Sequence, residues 1–133
     1  MNGHSPRFII AVVDDDQGIL TSLEDLLESA DYAVRLFPSA TALLESGCLA
    51  EIDCLISDVG MPEMDGFELV QAVQAARREL PIILITGRPD AQNRLPSIGS
   101  VHHRLFKKPF NGQDLLTAVS DALRTRHQRP PHS

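Results

Sequence analysis

The sequence predicts an α/β fold: a doubly wound parallel sheet with helices on both faces. Two observations carry this. Residues 8–13, 54–57 and 81–85 form short runs that are apolar save for Ser57, the signature of strands buried on both faces. Longer stretches with apolar residues at helical spacing lie between the strand-like runs, and such alternation marks βα units. Right-handed crossovers then place helices on each side of the sheet.

The elements follow in order. Residues 8–13 are continuously apolar and β-branched, the first strand. Ile19, Leu20, Leu23, Leu26 and Leu27 then recur at helical spacing, with Asp16 as a cap. Residues 32–37 read as a shorter second strand stopped by Pro38, and Ser39 can cap a helix that buries Leu43 and Leu44. The third strand ends at residues 54–57. A turn over 61–66 leads into a helix with Phe67, Val70 and Val73 on one face, closed by Arg77 and Arg78, whose charges suit a helix C-terminus. Residues 81–85 are the fourth strand. Pro89, Pro96 and Gly99 break any long helix over 88–100, leaving room for a short one across 91–95. Residues 101–106 are the fifth strand. Asn111 can cap the last helix, which carries Leu115, Leu116, Val119 and Leu123. From Arg124 the chain turns basic and Pro-rich and reads as a linker or frayed end.

Composition narrows the function classes. The 133 residues suit one compact domain able to bury its own core. A net charge of −6 argues against a surface that grips nucleic acid through its phosphates. Cys48 and Cys54 lie in apolar stretches and read as buried, reduced thiols. No apolar run approaches a membrane span, and the first seven residues lack the apolar core of a signal peptide. The expected compartment is the cytoplasm.

In parallel α/β sheets ligands bind beyond the carboxyl ends of the strands. Asp14, Asp15 and Asp16 stand at that end of the first strand, Asp58 after the third, Thr86 and Gly87 after the fourth, and Lys107, Lys108 and Pro109 after the fifth. Each has a plain alternative: an Asp can be only a cap, a Thr only a turn residue, a Lys only solvated. Their collection at one rim is what argues for chemistry. Clustered carboxylates repel and call for a cation, and oxygen-only ligands favour a hard one, Mg²⁺ first. A carboxylate can then act as nucleophile and form an acyl phosphate, with a lysine and a hydroxyl on the other phosphoryl oxygens.

At these residues the chain resembles the receiver domain of two-component response regulators. The matching pieces are V-D-D-D at 13–16, L-I-S-D-V-G-M-P-E-M-D-G at 55–66, I-T-G at 85–87 and K-P-F at 108–110. The resemblance covers 7–125, with 1–6 a flexible N-terminus and 126–133 a basic, Pro-rich tail or linker. It implies a flavodoxin-like fold of five parallel strands and five helices, the fourth helix here short or irregular. It implies that Asp58 accepts a phosphoryl group from a phosphohistidine on a sensor histidine kinase or phosphotransfer protein. Asp15 and Asp58 would hold Mg²⁺ through carboxylates, Gly60 through its backbone carbonyl, and Asp14 mainly through a coordinated water. Thr86 would swing its hydroxyl onto the phosphoryl oxygen, and Lys108 would pair with it across a cis Lys108–Pro109 bond. The I-T-G step inclines toward the branch that regulates transcription in nitrogen-fixing and related bacteria.

Departures from the family pattern are equally informative. The position three before the conserved lysine, usually aromatic, is Leu105, followed by Phe106. The fourth-helix segment reads R-P-D-A-Q-N-R-L-P-S-I-G-S at 88–100 in place of an Ala-rich amphipathic stretch. Thr86 and Lys108 keep the family spacing, so the segment is altered rather than deleted. Gly60 and Arg88 occupy sites whose side chains tune attack of water on the acyl phosphate. Gly60 offers none, and Arg88 either covers the phosphoryl group or is solvated. His102 and His103 alternate on a strand without metal-site spacing.

The expected function is therefore a phosphorylation-dependent switch that changes partner binding through its fourth helix, fifth strand and fifth helix. Beyond Mg²⁺-dependent self-phosphorylation and slow autodephosphorylation, it is not expected to be an enzyme. Its output would run through a downstream protein or a fused output domain, without direct nucleic-acid or membrane binding by this domain. Homodimerisation, where it occurs, would use the same face. The alternative is a scaffold of receiver fold that signals without phosphorylation. An aspartyl phosphohydrolase fits less well, because no cap insertion accompanies the D-x-D formed by Asp14 and Asp16. A dinucleotide or flavin binder lacks its Gly-rich loop.

Overall fold

The computed structural model describes residues 7–58, 66–77, 79–86, 103–107 and 111–127, with backbone alone at 66–67, 103–105, 107 and 125–127. Five parallel strands form one sheet in the order β2-β1-β3-β4-β5: β1 (Ile9–Val13), β2 (Ala33–Phe37), β3 (Cys54–Asp58), β4 (Ile82–Thr86) and β5 (His103–Lys107). Four α-helices stand among the described residues: α1 (Gln17–Ser29), α2 (Ala40–Ser46), α3 (Gly66–Ala76) and α4 (Gly112–His127). A 3₁₀ turn, Cys48–Ala50, follows α2. The expected short helix within 88–100 lies outside the described residues, so α4 corresponds to the last helix of the sequence reading.

Strand alternation sorts the core into two clusters. Ala11, Val13, Leu55, Ile82 and Leu84 point to one face, where α2 and α3 cover them with Leu43, Leu69, Val70 and Val73. Ile10, Val12, Cys54, Ile56, Ile83 and Ile85 point to the other, where α1 and α4 supply Leu20, Leu23, Leu27, Leu115, Val119 and Leu123. β1, β3 and β4 are covered on both sides, which explains why their sequences are apolar without alternation. β2 is an edge strand and only partly buried, with Arg35 exposed at its centre. Both cysteines are free thiols and buried.

The caps are local chemistry. Asp16 Oδ1 accepts from the N–H groups of Gly18 and Ile19 at 2.8 and 3.3 Å. Ser39 Oγ accepts from Ala42 N–H at 3.0 Å. Asn111 Oδ1 accepts from Gln113 and Asp114 N–H at 2.8 and 3.1 Å. Each satisfies backbone donors that a helix start leaves open. At the end of α1, Asp31 adopts φ +71°. The N–H of Tyr32 then reaches Leu27 O, and that of Asp31 reaches Glu28 O, at 3.2 and 2.9 Å. This is the Schellman arrangement, with Asp where glycine is usual. α2 ends at Gly47, φ +76°, a left-handed turn that a Cβ would strain.

Arg77 departs from the sequence reading. It lies just past α3, and its guanidinium donates to the carbonyls of Leu49 and Ile52, each at 2.6 Å. It ties the loop ahead of β3 to the end of α3 rather than only facing a helix dipole. Arg78, its partner in that reading, lies outside the described residues, as do Val101 and His102. The last helix continues through His127, past Arg124.

Candidate phospho-acceptor and metal site

The strand order places the site. From β1 the chain moves outward to β2, then returns to β3 on the other side of β1. The carboxyl ends of β1 and β3 therefore flank the switch point, the place where parallel α/β sheets bind their ligands. Val13 pairs with Ser57, so the next residues, Asp14 and Asp58, leave these neighbouring strands side by side. Asp58 pairs in turn with Ile85, one step before Thr86. Asp58 and Thr86 are the last residues of their strands rather than the first beyond them. The sheet thus holds both at defined heights.

Three carboxylates meet here. One oxygen each from Asp14, Asp15 and Asp58 lies within 4.8 Å of the others. Asp14 and Asp58 are buried, at 1% and 7% exposure, and Thr86 is buried at 1%. Asp15 is exposed at the mouth. Like charges this close repel by on the order of 3 kcal/mol per pair at an effective dielectric of about 20. A divalent cation would convert that repulsion into attraction. The donor set is oxygen only, with two buried carboxylates and one on the solvent side. It suits Mg²⁺, which takes few protein ligands and keeps several waters.

The backbone around the cluster is pinned. Asp14 N–H donates to Phe37 O of β2 at 3.1 Å. Asp14 Oδ1 accepts from Asp16 N–H at 2.9 Å. At β3 the wholly buried Ser57 donates through Oγ to Asp58 O at 3.1 Å. The sequence reading singled out neither Phe37 nor Ser57 as a support of the site. A hydroxyl inside an otherwise apolar strand, next to Asp58, was the available signal for Ser57.

Of the other sequence-predicted site residues, Gly60, Arg88 and Lys108 lie outside the described residues. Leu105 is placed by backbone alone, in β5 opposite Leu84. Phe106 next to it pairs with Ile85 and packs on the α1 and α4 side of the core.

The comparisons with known proteins agree with this architecture. The family model "Response regulator receiver domain" matches residues 10–120. The chain belongs to the response regulator receiver family. Among curated relatives, the response regulator protein TmoT of Ectopseudomonas mendocina is 36% identical over 121 residues, covering 91% of this chain and 55% of that protein. The transcriptional regulatory protein FixJ of Bradyrhizobium diazoefficiens is 34% identical over 115 residues, 86% of this chain and 56% of that protein. The chain spans about half the length of these relatives. Among solved structures, the signal receiver domain of an HD domain-containing protein from Pseudomonas fluorescens Pf-5 superposes with a TM-score of 0.83. It is 32% identical, over 93% of this chain and all of that one. The Vibrio cholerae chemotaxis protein CheY4 gives 0.79 at 30% identity, over 89% and 100%. The receiver domain is thus a module of two-component signalling, and its relatives are bacterial regulators. Among its described residues, no helix is long and apolar enough to cross a membrane.

Proposed function

We propose that this receiver domain is a phosphorylation-driven switch, with Asp58 the acceptor and Mg²⁺ the required cofactor. The observation that carries it is the meeting of Asp14, Asp15 and Asp58 within 4.8 Å at the sheet's switch point. A carboxylate oxygen of Asp58 attacks the phosphorus of a phosphohistidine. The O–P bond forms as the P–N bond breaks, and the electron pair returns to the imidazole of the sensor kinase or phosphotransfer protein. Bound Mg²⁺, held by Asp14, Asp15, Asp58 and the Gly60 carbonyl, would neutralise charge on the transferring group. Lys108 pairs with the phosphoryl oxygens, and the Thr86 hydroxyl turns toward them. Water attack later releases inorganic phosphate and restores the carboxylate, at a rate to which Arg88 contributes by covering the phosphoryl group. The domain's product is a changed surface on the 88–100 segment, β5 and α4, read by a fused output domain or a separate protein in the cytoplasm. We do not read it as an enzyme in the ordinary sense.

Intact mass after incubation with acetyl phosphate or phosphoramidate tests this reading. Gain of one phosphoryl group that needs Mg²⁺ and is lost in Asp58→Asn is the expected outcome. No gain in the wild type, where another receiver is labelled under the same conditions, would favour the phosphorylation-independent scaffold.

A further inference from the structure

We infer that Asp16, the third carboxylate of the triplet, is a positioning residue for the metal site. It acts by holding the turn that presents Asp14 and Asp15, not by binding the ion. The inference rests on the Mg²⁺ reading above and adds a division of labour among three adjacent, chemically identical side chains. Its basis is a chain of hydrogen bonds running through the triplet. Asp14 Oδ1 accepts from the N–H of Asp16, an Asx turn two residues long. Asp16 in turn uses its own Oδ1 to accept from Gly18 and Ile19 N–H. Its backbone is extended at φ −94°, ψ 111°, the geometry of an N-cap. Asp16 O accepts from Leu20 N–H at 3.1 Å as the first bond of α1.

Asp15 is therefore the tip of a turn clamped on both sides. Upstream, Asp14 is held to β2 through Phe37 O. Downstream, Asp16 is held to the first turn of α1. Asp14 and Asp15 contribute to the carboxylate cluster and Asp16 does not, because its charge faces the helix N-terminus. Releasing the Asp16 cap frees the N–H that orients Asp14 and lets the tip carrying Asp15 move. The cost to the metal is entropic, since two ligands must be ordered as the ion binds. Room at the cap is limited. A Cβ on Gly18 would approach Asp16 Oδ1 to 3.2 Å, so the small residue there keeps the cap bond close.

Mg²⁺ titration of the full chain by calorimetry at physiological salt separates the possibilities, with Asp16→Asn, Asp16→Ser and Asp16→Ala compared. Asparagine and serine cap helices without a charge. Both variants are expected to bind Mg²⁺ within about twofold of wild type, and Asp16→Ala at least fivefold more weakly. Urea unfolding confirms that each variant is folded at the titration temperature. Equal weakening in all three would make the charge itself the contributor and overturn the inference. Full affinity in Asp16→Ala would make the cap merely structural and overturn it too. Asp15→Asn serves as control. If it binds Mg²⁺ like wild type, the metal reading fails first, a result distinct from either pattern at Asp16.

Discussion

At the residue scale, the cluster has an opposing effect on stability and on function. Three carboxylates within 4.8 Å repel one another when no cation lies between them. The same repulsion makes the fold gain from a cation. Ligand that binds only the folded state stabilises it by RT ln(1 + [L]/Kd), about 1.4 kcal/mol when Mg²⁺ is about ten times its Kd. Thermal unfolding is expected to rise with Mg²⁺ in wild type and to lose most of that dependence in Asp58→Asn, while metal-free Asp58→Asn melts no lower than wild type. In the proposed mechanism Thr86 acts later in the sequence of events. Thr86→Ala should accept phosphate at a near-normal rate yet fail to change partner binding. A phosphorylated Thr86→Ala that signals fully would exclude the hydroxyl swing. Tyr32 supplies a pH effect far from the site. Burial raises its phenol above the usual 10.0, charge on Cys54 adds to this, and a hydrogen bond with Ser120 opposes it. A phenol that ionises less readily in the folded state contributes stability that is complete below pH 10 and lost as pH climbs through the raised value. Urea midpoints should therefore fall more steeply above pH 10 in wild type than in Tyr32→Phe.

At the scale of elements, two joints lie away from the site, and their variants should change stability without changing Mg²⁺ affinity. Arg77 donates to two carbonyls ahead of β3, the nearer of them, Ile52 O, six residues and about 20 Å of extended chain from Asp58. Arg77→Ala is expected to cost about 2–3 kcal/mol in urea unfolding, since it strands carbonyl groups that the guanidinium had satisfied. Arg77→Lys should recover only part, because an ammonium lacks the guanidinium fork. The turn after α1 offers the opposite sign. Asp31 holds a left-handed φ of +71°, and its ion pair with Arg7 is solvent-exposed at 3.4 Å and contributes little. Asp31→Gly relieves the backbone strain and should stabilise by about 0.5 kcal/mol after the entropy of glycine in the unfolded chain is subtracted.

For the whole molecule, one sheet is shared by two cores. Leu84 belongs to the cluster under α2 and α3, and Ile83 to the cluster under α1 and α4. Adjacent residues of β4 thus report on opposite faces. Leu84→Ala and Ile83→Ala should each cost about 2–5 kcal/mol. Both should move a single transition seen alike by circular dichroism and by Tyr32 fluorescence, because neither layer can separate without dissolving the sheet. In the proposed switch, the same sharing would carry an event at the carboxyl rim to a helical surface. Asp58 and Thr86 end the central strands, and β4 carries the register on to β5.

Much of this was legible in the residue order. Apolar runs marked strands buried on both faces, helical spacing marked the intervening elements, and Asp16, Ser39 and Asn111 announced their caps, because hydrophobic periodicity and capping are local. The motif pieces pointed to the family and to Asp58 as its candidate acceptor for the same reason: each is contiguous. The tertiary structure decided what depends on neighbours distant in sequence. The register of β1 on β3 brings Asp14 beside Asp58 across more than forty residues. Only folding could bring an oxygen of Asp15 within 4.8 Å of those of Asp14 and Asp58. Only folding could give Arg77 its carbonyl partners, or place the Ser57 hydroxyl inside the core against Asp58 O. The physical reason is one of range. Propensity, capping and periodicity act over a few residues, whereas a site at a sheet's rim is assembled by strand register and by the burial that makes its charges interact.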